Sequence, residues 1–228
     1  GFALPAPGIK PDAGRARKGE GMNVLLVNGS PHEKGSTYTA LCEVARGLNE
    51  QGVDAELFWI GDRALPPCSG CNVCRSKLGK CKFDDCVNVL EERIKTTDGF
   101  VFGTPVHFGG ICGNMTCFMD RFFYSTPRHW LRYKPMAAVV CTRRSGASAA
   151  WDQMNKYLSV AETPIIARGW NTIHGTTPQE VREDKEGMVC MRSIGRSMAY
   201  IIKCLSAGRN ARISVPEQEP IALMNFIR

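Results

Sequence analysis

Long apolar runs are missing from this chain of 228 residues. No stretch approaches the ~18 consecutive apolar residues that a membrane-spanning helix needs, and the N-terminal region lacks the apolar core of a secretory signal. A large excess of one charge is also missing, because the formal net charge of +7 is spread thinly along the chain. No nucleic-acid recognition motif accompanies the basic residues. We therefore expect a cytoplasmic protein with neither a membrane nor a nucleic-acid partner.

The chain length suits one ordinary α/β domain with a tail at each end. Residues 1–21 are rich in Gly, Pro, Ala and charge without periodicity, so we expect a disordered arm or a remnant ahead of a natural start at Met22. Residues 22–208 are the expected domain, with a cysteine-rich loop at 66–86. Residues 209–228 are the expected extended C-terminal tail.

Apolar patterns within the domain alternate between strand and helix. Five strands are expected, at 22–27, 55–60, 99–103 and 136–142, with the last near 164–167 or 171–174. Five helices follow them, including one that starts at Asp84 or Asp85 and a last one from Asp184 to about Gly208. In the third helix, a stripe at helical spacing is predicted to face the core: Met115, Phe118, Met119, Phe122 and Phe123. This alternation predicts a parallel sheet covered by helices on both faces.

The loop over residues 28–37 connects the first strand to the first helix and reads Asn-Gly-Ser-Pro-His-Glu-Lys-Gly-Ser-Thr. Ser36 is expected to cap the helix, where free N–H groups and the helix dipole favour an anion. The loop has neither the Gly-Lys-Ser/Thr of a triphosphate site nor the three spaced glycines of a dinucleotide site. We predict a site for one terminal phosphate, such as that of FMN, held by Ser30, His32, Ser36 and Thr37. An ordinary capped turn is the alternative.

The loop after the third strand, residues 103–111, is expected to line a flat ring. Its proline fixes one φ angle, and its glycines let the backbone approach a ligand closely. Free N–H groups beside a flavin would tune its electronics. The expected contacts come from Thr104, Pro105, Val106, His107, Phe108 and Gly109. The alternative is a plain strand-to-helix loop, in which His107 is a surface group rather than a proton donor or ring wall.

The loop after the fourth strand reaches the same edge of the sheet, because it also follows a strand's carboxyl end. Its candidate ligand contacts are Thr142, Arg143, Arg144 and Gly146. An arginine here can cover an aromatic ring or hold the electron-rich edge of a reduced flavin. A solvated basic turn is the alternative.

Four of the eleven cysteines crowd into one segment, at Cys68, Cys71, Cys74 and Cys81. The first three have the C-x-x-C-x-x-C spacing that wraps three corners of an iron–sulfur cube, and a later cysteine takes the fourth corner. A [4Fe–4S] cluster is therefore the leading interpretation. Structural zinc and free or redox-paired thiols remain open. The other cysteines are expected to be small packing residues, not ligands.

Taken together, these motifs resemble the NADPH-dependent FMN reductase superfamily of flavodoxin-like proteins, and most of all its iron-sulfur flavoprotein branch. The segments that carry the resemblance are Gly29-Ser30-Pro31, Gly35-Ser36-Thr37, Pro66-Pro67-Cys68-Ser69-Gly70-Cys71 with Cys74 and Cys81, Asp84-Asp85, Thr104-Pro105-Val106, Asp120-Arg121, and Arg144 with Gly146. The resemblance implies a three-layer flavodoxin-like fold, with a five-stranded parallel sheet of order 2-1-3-4-5.

The resemblance also implies FMN as cofactor, electrons from NAD(P)H or from a ferredoxin-type partner, and a homodimer or homotetramer. The expected function is an FMN-dependent NAD(P)H oxidoreductase of the flavin or quinone reductase type. No side-chain nucleophile is expected, because the flavin carries the chemistry. A non-enzymatic electron carrier or redox sensor is the alternative, and a zinc-bearing nucleic-acid module is disfavoured by the thin basic charge.

Overall fold

Helices and strands alternate along the chain in the computed structural model, which describes residues 21–217 and 219. The strands are β1 (Asn23–Asn28), β2 (Asp54–Trp59), β3 (Gly99–His107), β4 (Gly110–Ile111), β5 (Met136–Thr142) and β6 (Thr172–His174). The helices are α1 (Ser36–Asn49), α2 (Cys86–Arg93), α3 (Gly113–Ser125), α4 (Arg128–Leu131), α5 (Ala147–Val160), α6 (Pro178–Glu183) and α7 (Lys185–Asn210). The expected N-terminal arm, apart from Gly21, lies outside the described residues, as do residues 218 and 220–228 of the expected tail.

The main sheet is parallel and has the strand order β2-β1-β3-β5-β6. This is the predicted order, with β5 and β6 as the fourth and fifth strands. The last strand occupies the second of its two expected positions, while Ile165 makes only an isolated bridge to Met136. The short β4 pairs antiparallel with the end of β3. Chain direction therefore places the ends of β1, β3 and β5 side by side.

Two apolar clusters lie on opposite faces of the sheet. One contains buried side chains of α2, α3 and α5, and the other contains those of α1, α6 and α7. Within β1, Leu25 and Val27 face the first cluster, whereas Val24 and Leu26 face the second. Both faces of β1 are thus buried, as expected for the centre of a parallel sheet.

The predicted stripe of α3 does face the core. Met115, Phe118, Met119 and Phe122 are fully buried, and Phe123 packs at the edge of the same cluster. The ring of Phe122 lies 6.1 Å from that of Phe100 and 6.0 Å from that of Phe102, both on β3. These residues hold α3 against the sheet and are not available to a ligand.

The end of the domain differs in two details from the expectation. Helix α6 was not predicted, although Thr177 and Glu180 form a reciprocal capping box and Pro178 opens the helix. Helix α7 continues to Asn210, two residues beyond the expected end at Gly208. No helix in the described ranges combines the length and the apolar character that crossing a bilayer requires.

Candidate functional site

The loop after β1 is shaped by the side chain of Asn28. Its Oδ1 accepts the N–H of Ser30 at 3.0 Å, and its Nδ2 donates to the carbonyl of Glu33 at 2.9 Å. The indole Nε1 of Trp59, at the end of β2, donates to the carbonyl of Ser30 at 2.8 Å. These three bonds hold the loop in an arched conformation.

Two hydroxyls at the start of α1 are left free by this arrangement. Gly35 occupies the cap position and no side chain caps the helix, so the expected cap by Ser36 is wrong. Ser36 is instead the first helical residue. The Oγ of Ser36 and the Oγ1 of Thr37 are buried and have no hydrogen-bond partner among the described residues. Buried hydroxyls at a helix N-terminus are suited to an anionic oxygen.

The thiol of Cys141, at the end of β5, lies beside Ser36. Burial raises the pKa of Cys141 to about 12, and the nearby Ser36 hydroxyl only partly opposes that shift. The thiol therefore stays protonated at neutral pH and adds no negative charge to the anion site. A neutral Cys141 therefore does not repel an anion at this site.

Glycines allow the three loops to touch. The N–H of Gly29 donates to the carbonyl of Gly103 at 2.8 Å, and a Cβ added at Gly29 would lie 2.5 Å from the sulfur of Met115. A Cβ added at Gly146, whose φ is +85°, would lie 2.6 Å from the Cα of Gly109. The loops after β1, β3 and β5 therefore form one continuous edge, as the sequence predicted.

The segment after Gly103 is a hairpin, not the loop that was expected. Strand β3 continues to His107, and the chain turns through Phe108 and Gly109, which have φ angles of +49° and +81°. Two consecutive positive φ angles make a tight hairpin turn, and β4 then pairs back on β3. The ring of Phe108 is fully exposed at the tip. The hairpin thus stands along the edge formed by the loops after β1, β3 and β5, which we call the crevice.

The predicted contact residues fall into three groups along this edge. The buried ones are Ser30, Thr37, Thr104 and Thr142, the half-buried ones are Ser36, Pro105, Val106 and Gly146, and the exposed ones are His32, His107, Phe108, Gly109, Arg143 and Arg144. Two of the buried hydroxyls have internal roles. Thr104 accepts the N–H of Cys112 at 3.2 Å, and Thr142 donates to the carbonyl of Ser145 at 2.8 Å.

Two arginines at the end of β5 face solvent. Arg143 and Arg144 are exposed and have no ion pair or hydrogen bond with the described residues. Each guanidinium can therefore reach a ligand without giving up a partner.

The four clustered cysteines line a second pocket, on the face of the sheet covered by α2 and α3. Arg121, Tyr124 and Ser125 of α3 complete its wall. Cys74 begins a five-residue π-helix, a form of turn that often marks functional sites. All eleven cysteines are free thiols, so no disulfide competes for these four. Donors of this kind, all of them sulfur, suit an iron–sulfur cluster.

The four thiols share the pocket without the spacing of a finished ligand set. Within the described residues, no three His, Cys, Asp or Glu side chains are grouped closely enough to hold a metal ion. Cys68 and Cys71 are exposed on the loop, and Cys74 and Cys81 lie deeper. An N–H of Val73 lowers the pKa of the Cys71 thiol, whereas burial raises that of Cys74. Ligation would therefore require the four thiols to move closer together.

Sequence reasoning gave no role to Arg121, which reaches this pocket from α3. Its side chain is fully buried, forms a two-pronged ion pair with Asp85, and donates from Nε to the sulfur of Cys81 at 3.2 Å. Because 36 residues separate Asp85 from Arg121, no local pattern connects them. The only sequence signal was that both residues lie in segments that carry the family resemblance.

Two known proteins of similar sequence come from archaea. An iron-sulfur flavoprotein of Methanocaldococcus jannaschii is 28% identical over 192 residues, covering 81% of this chain and 99% of the relative. An iron-sulfur flavoprotein of Archaeoglobus fulgidus is 27% identical over 211 residues, covering 85% of this chain and all of the relative. The similarity therefore runs across nearly the full length of these proteins.

Solved structures with the same fold include two reductases. A flavone reductase superposes with a TM-score of 0.63 at 18% identity, covering 81% of this chain and 64% of that one. An NAD(P)H:quinone oxidoreductase from Methanothermobacter marburgensis gives 0.60 at 16% identity, with coverage of 78% and 96%. A flavodoxin from the domain Archaea gives 0.53 at 15% identity, with coverage of 80% and 99%, which confirms the flavodoxin-like fold.

The sequence pattern of the NADPH-dependent FMN reductase family matches residues 22–177. This range runs from β1 to the cap of α6 and contains all three loops of the crevice as well as the cysteine pocket. The chain therefore belongs to the NADPH-dependent FMN reductase family and is an FMN-dependent oxidoreductase.

Proposed function

We propose that the protein transfers electrons from NAD(P)H through FMN held at the carboxyl edge of β1, β3 and β5. The observation that carries the proposal is the pair of buried, unpartnered hydroxyls of Ser36 and Thr37. A buried hydroxyl without a partner is costly, and these two lie where a helix N-terminus favours an anion. A phosphate would satisfy both of them.

Different residues along this edge have different roles in binding the cofactor. Ser36 and Thr37 donate to the phosphate, while Asn28 and Trp59 keep the loop in its arch. The hairpin that turns at Phe108 would flank the flavin ring. When bound, FMN supplies two-electron chemistry by accepting a hydride from the nicotinamide.

Arg144 has a separate role in this proposal. It is exposed, has no partner among the described residues, and follows Thr142 at the end of β5. Its positive charge at the crevice stabilises a flavin that has gained electrons more than an oxidised one. Arg143 is the neighbouring candidate for the same position.

Steady-state oxidation of NADH and NADPH, with FMN bound and a quinone as acceptor, tests this function. We expect turnover with at least one nicotinamide. Full FMN occupancy with no turnover on either nicotinamide would contradict the proposal. That outcome would favour the electron-carrier alternative.

The proposal extends to a [4Fe–4S] cluster bound by Cys68, Cys71, Cys74 and Cys81. Its support is that all four thiols line one pocket, and that the two archaeal relatives carry the name iron-sulfur flavoprotein. Four crowded thiolates repel one another unless a cation or cluster takes up their charge. Such a centre would let the protein divide electron pairs into single electrons.

A ferredoxin-type protein is the proposed electron partner, and a homodimer or homotetramer is the proposed assembly, which light scattering after size-exclusion chromatography would measure. Free thiols at all eleven cysteines support a reducing compartment such as the cytoplasm.

A further inference from the structure

A buried positive charge on α3 has no part in the flavin crevice. Arg121 is 1% exposed and is the largest fully buried side chain among the described residues. Burying a guanidinium is strongly unfavourable unless its N–H groups are satisfied. The contacts of Arg121 therefore indicate which groups its buried charge stabilises.

Arg121 uses the two ends of its guanidinium differently. Nη1 donates to one oxygen of Asp85 at 2.7 Å and Nη2 to the other at 2.8 Å, as a parallel fork. Nη2 also reaches the carbonyl of Phe83 at 3.4 Å, and the guanidinium carbon lies 4.9 Å from the centre of the Phe83 ring. The remaining donor, Nε, points at the sulfur of Cys81 at 3.2 Å.

The segment that carries Cys81 is anchored on its other side by α2. Asp85 caps α2 by accepting the N–H of Val87 at 3.1 Å. The Nδ2 of Asn88 donates to the carbonyls of Cys81 and Phe83, at 3.1 and 2.9 Å. Cys81 is therefore held from both helices, whereas Cys68 and Cys71 are exposed.

A hydrogen bond to a ligating sulfur changes the properties of an iron–sulfur cluster. Reduction adds negative charge to the cluster, and the sulfurs share that charge, so a donor at one sulfur stabilises the reduced form. Asp85 neutralises the far end of the guanidinium. The effect therefore comes mainly from the Nε–H bond and not from a free net charge.

We infer that Arg121 is a positioning residue for the cluster: its fork on Asp85 aims Nε at Cys81, which fixes this cysteine as the first ligand and raises the cluster's reduction potential. This inference rests on the proposed [4Fe–4S] cluster.

Potentiometric titration of the anaerobically reconstituted full chain, followed by electron paramagnetic resonance, tests the inference. The main variant is Arg121→Gln with Asp85→Asn, which removes both charges together and leaves neither buried alone. We expect the equilibrium constant for one-electron reduction of its cluster to fall at least tenfold, which lowers the midpoint potential by about 59 mV. Reconstitution with iron and sulfide should also be slower, because Cys81 loses its anchor on α3 and keeps only that from Asn88.

Arg75→Gln is the matched control. Its guanidinium carbon stacks on the Tyr124 ring at 4.1 Å, beside the same pocket, and its side chain donates to no cysteine sulfur among the described residues. Its cluster potential should equal that of the wild type. If the double variant does not fold, as judged by FMN content and thermal melting, Arg121→Lys replaces it. That variant keeps a charge beside Asp85 but lacks the Nε donor.

The outcomes separate the inference from the function on which it rests. A wild type that takes up no iron overturns the proposed cluster itself. A wild type with a full cluster, and a folded Arg121 variant with the same potential and the same rate of iron uptake, overturns the inference alone. A potential that falls equally in the Arg75 variant also overturns it, because the effect would then belong to any nearby charge.

Discussion

Hydroxyl groups along the crevice differ in whether they already have a partner. The hydroxyl of Ser30 accepts the N–H of His32 at 3.1 Å, and those of Thr104 and Thr142 bond to backbone groups within their own loops. Only Ser36 and Thr37 are buried without such a bond among the described residues of this edge. Phosphate affinity should therefore depend on these two and much less on the other hydroxyls.

The double variant Ser36→Ala, Thr37→Ala should lose at least about tenfold in FMN affinity. Each hydrogen bond to a charged acceptor contributes about 1.5–3 kcal/mol, and about 1.4 kcal/mol is tenfold. Flavin fluorescence titration measures the change. Ser159→Ala, which removes a surface hydroxyl bonded to Lys156, is the control and should bind normally. Unchanged affinity in the double variant would place the phosphate elsewhere.

Arg144→Gln should make the two-electron potential of bound FMN more negative. The guanidinium stabilises the reduced flavin selectively, so its removal favours the oxidised form. Spectroelectrochemistry gives the midpoint. Arg209→Gln, near the far end of α7, should leave it unchanged. A midpoint that does not move in Arg144→Gln would make this residue part of a solvated turn.

Helices α1 and α7 meet backbone to backbone. A Cβ added at Gly47 of α1 would lie 2.3 Å from the carbonyl oxygen of Arg192, and one added at Gly195 of α7 would lie 2.2 Å from that of Val44. The partner atoms are backbone atoms, which cannot rotate away. Helix α7 therefore fixes the position of α1, whose first turn carries the proposed phosphate site.

Gly195→Ala should destabilise the fold, although alanine is the better helix former. Overpacking costs typically about 1–3 kcal/mol, against a propensity gain of about 1 kcal/mol. Gly208→Ala lies in the same helix, where an added Cβ would meet its nearest neighbour, Ile213, only at 3.8 Å. It should be neutral or stabilising. Urea unfolding compares the two, and equal stabilities would contradict the close packing.

Asp184 joins α6 to α7 and should make stability depend on pH. Burial alone would raise its pKa, but the N–H groups of Gly187 and His174 outweigh burial and lower it. A lowered native pKa stabilises the fold fully above the ordinary carboxyl pKa of about 3.9, and this stabilisation is lost as pH falls further.

Asp184→Ala should therefore cost about 0.5–2 kcal/mol at pH 7, as the loss of a cap does, and less below about pH 4. Thermal melting across this pH range measures the difference from the wild type. Asp152→Ala, at an exposed position on α5, is the control. A difference that stays constant down to pH 3 would show that the carboxylate is not the source.

At the scale of the whole molecule, the two proposed redox sites are built on different elements. The crevice uses the loops after β1, β3 and β5, whereas the cysteine pocket uses the loop before α2 and the end of α3. One site should thus survive damage to the other.

Cys71→Ser should remove the iron and leave FMN bound. Anaerobically reconstituted wild type should hold about four irons per chain, by the stoichiometry of a cubane cluster. Iron analysis and the flavin spectrum measure both cofactors in one sample. Cys204→Ser, an exposed thiol on α7, should retain both. Full iron in Cys71→Ser, or none in the wild type, would contradict the ligand assignment.

Local patterns explain why much of this architecture was predictable. The apolar run of β5 and the stripe of α3 are local signals, and both elements form as expected. The sequence did not predict the hairpin because Phe108 takes a positive φ, a conformation that bulky residues rarely adopt. The bond from Arg121 to Cys81 was missed because 40 residues separate the two, and no periodicity relates them. The sequence predicted Ser36 as the helix cap because capping and phosphate binding both favour serine at the start of a helix.

The bond from Trp59 to Ser30 has a consequence for how the sheet comes apart. Strand β2 lies at the edge of the sheet and pairs only with β1. Edge strands are usually among the first to fray. Here the end of the edge strand is fastened to the arch that would enclose the phosphate, so a bound cofactor would slow hydrogen exchange along β2. Loss of the flavin should therefore speed hydrogen exchange first in β2, at the edge of the sheet, and only later in the core.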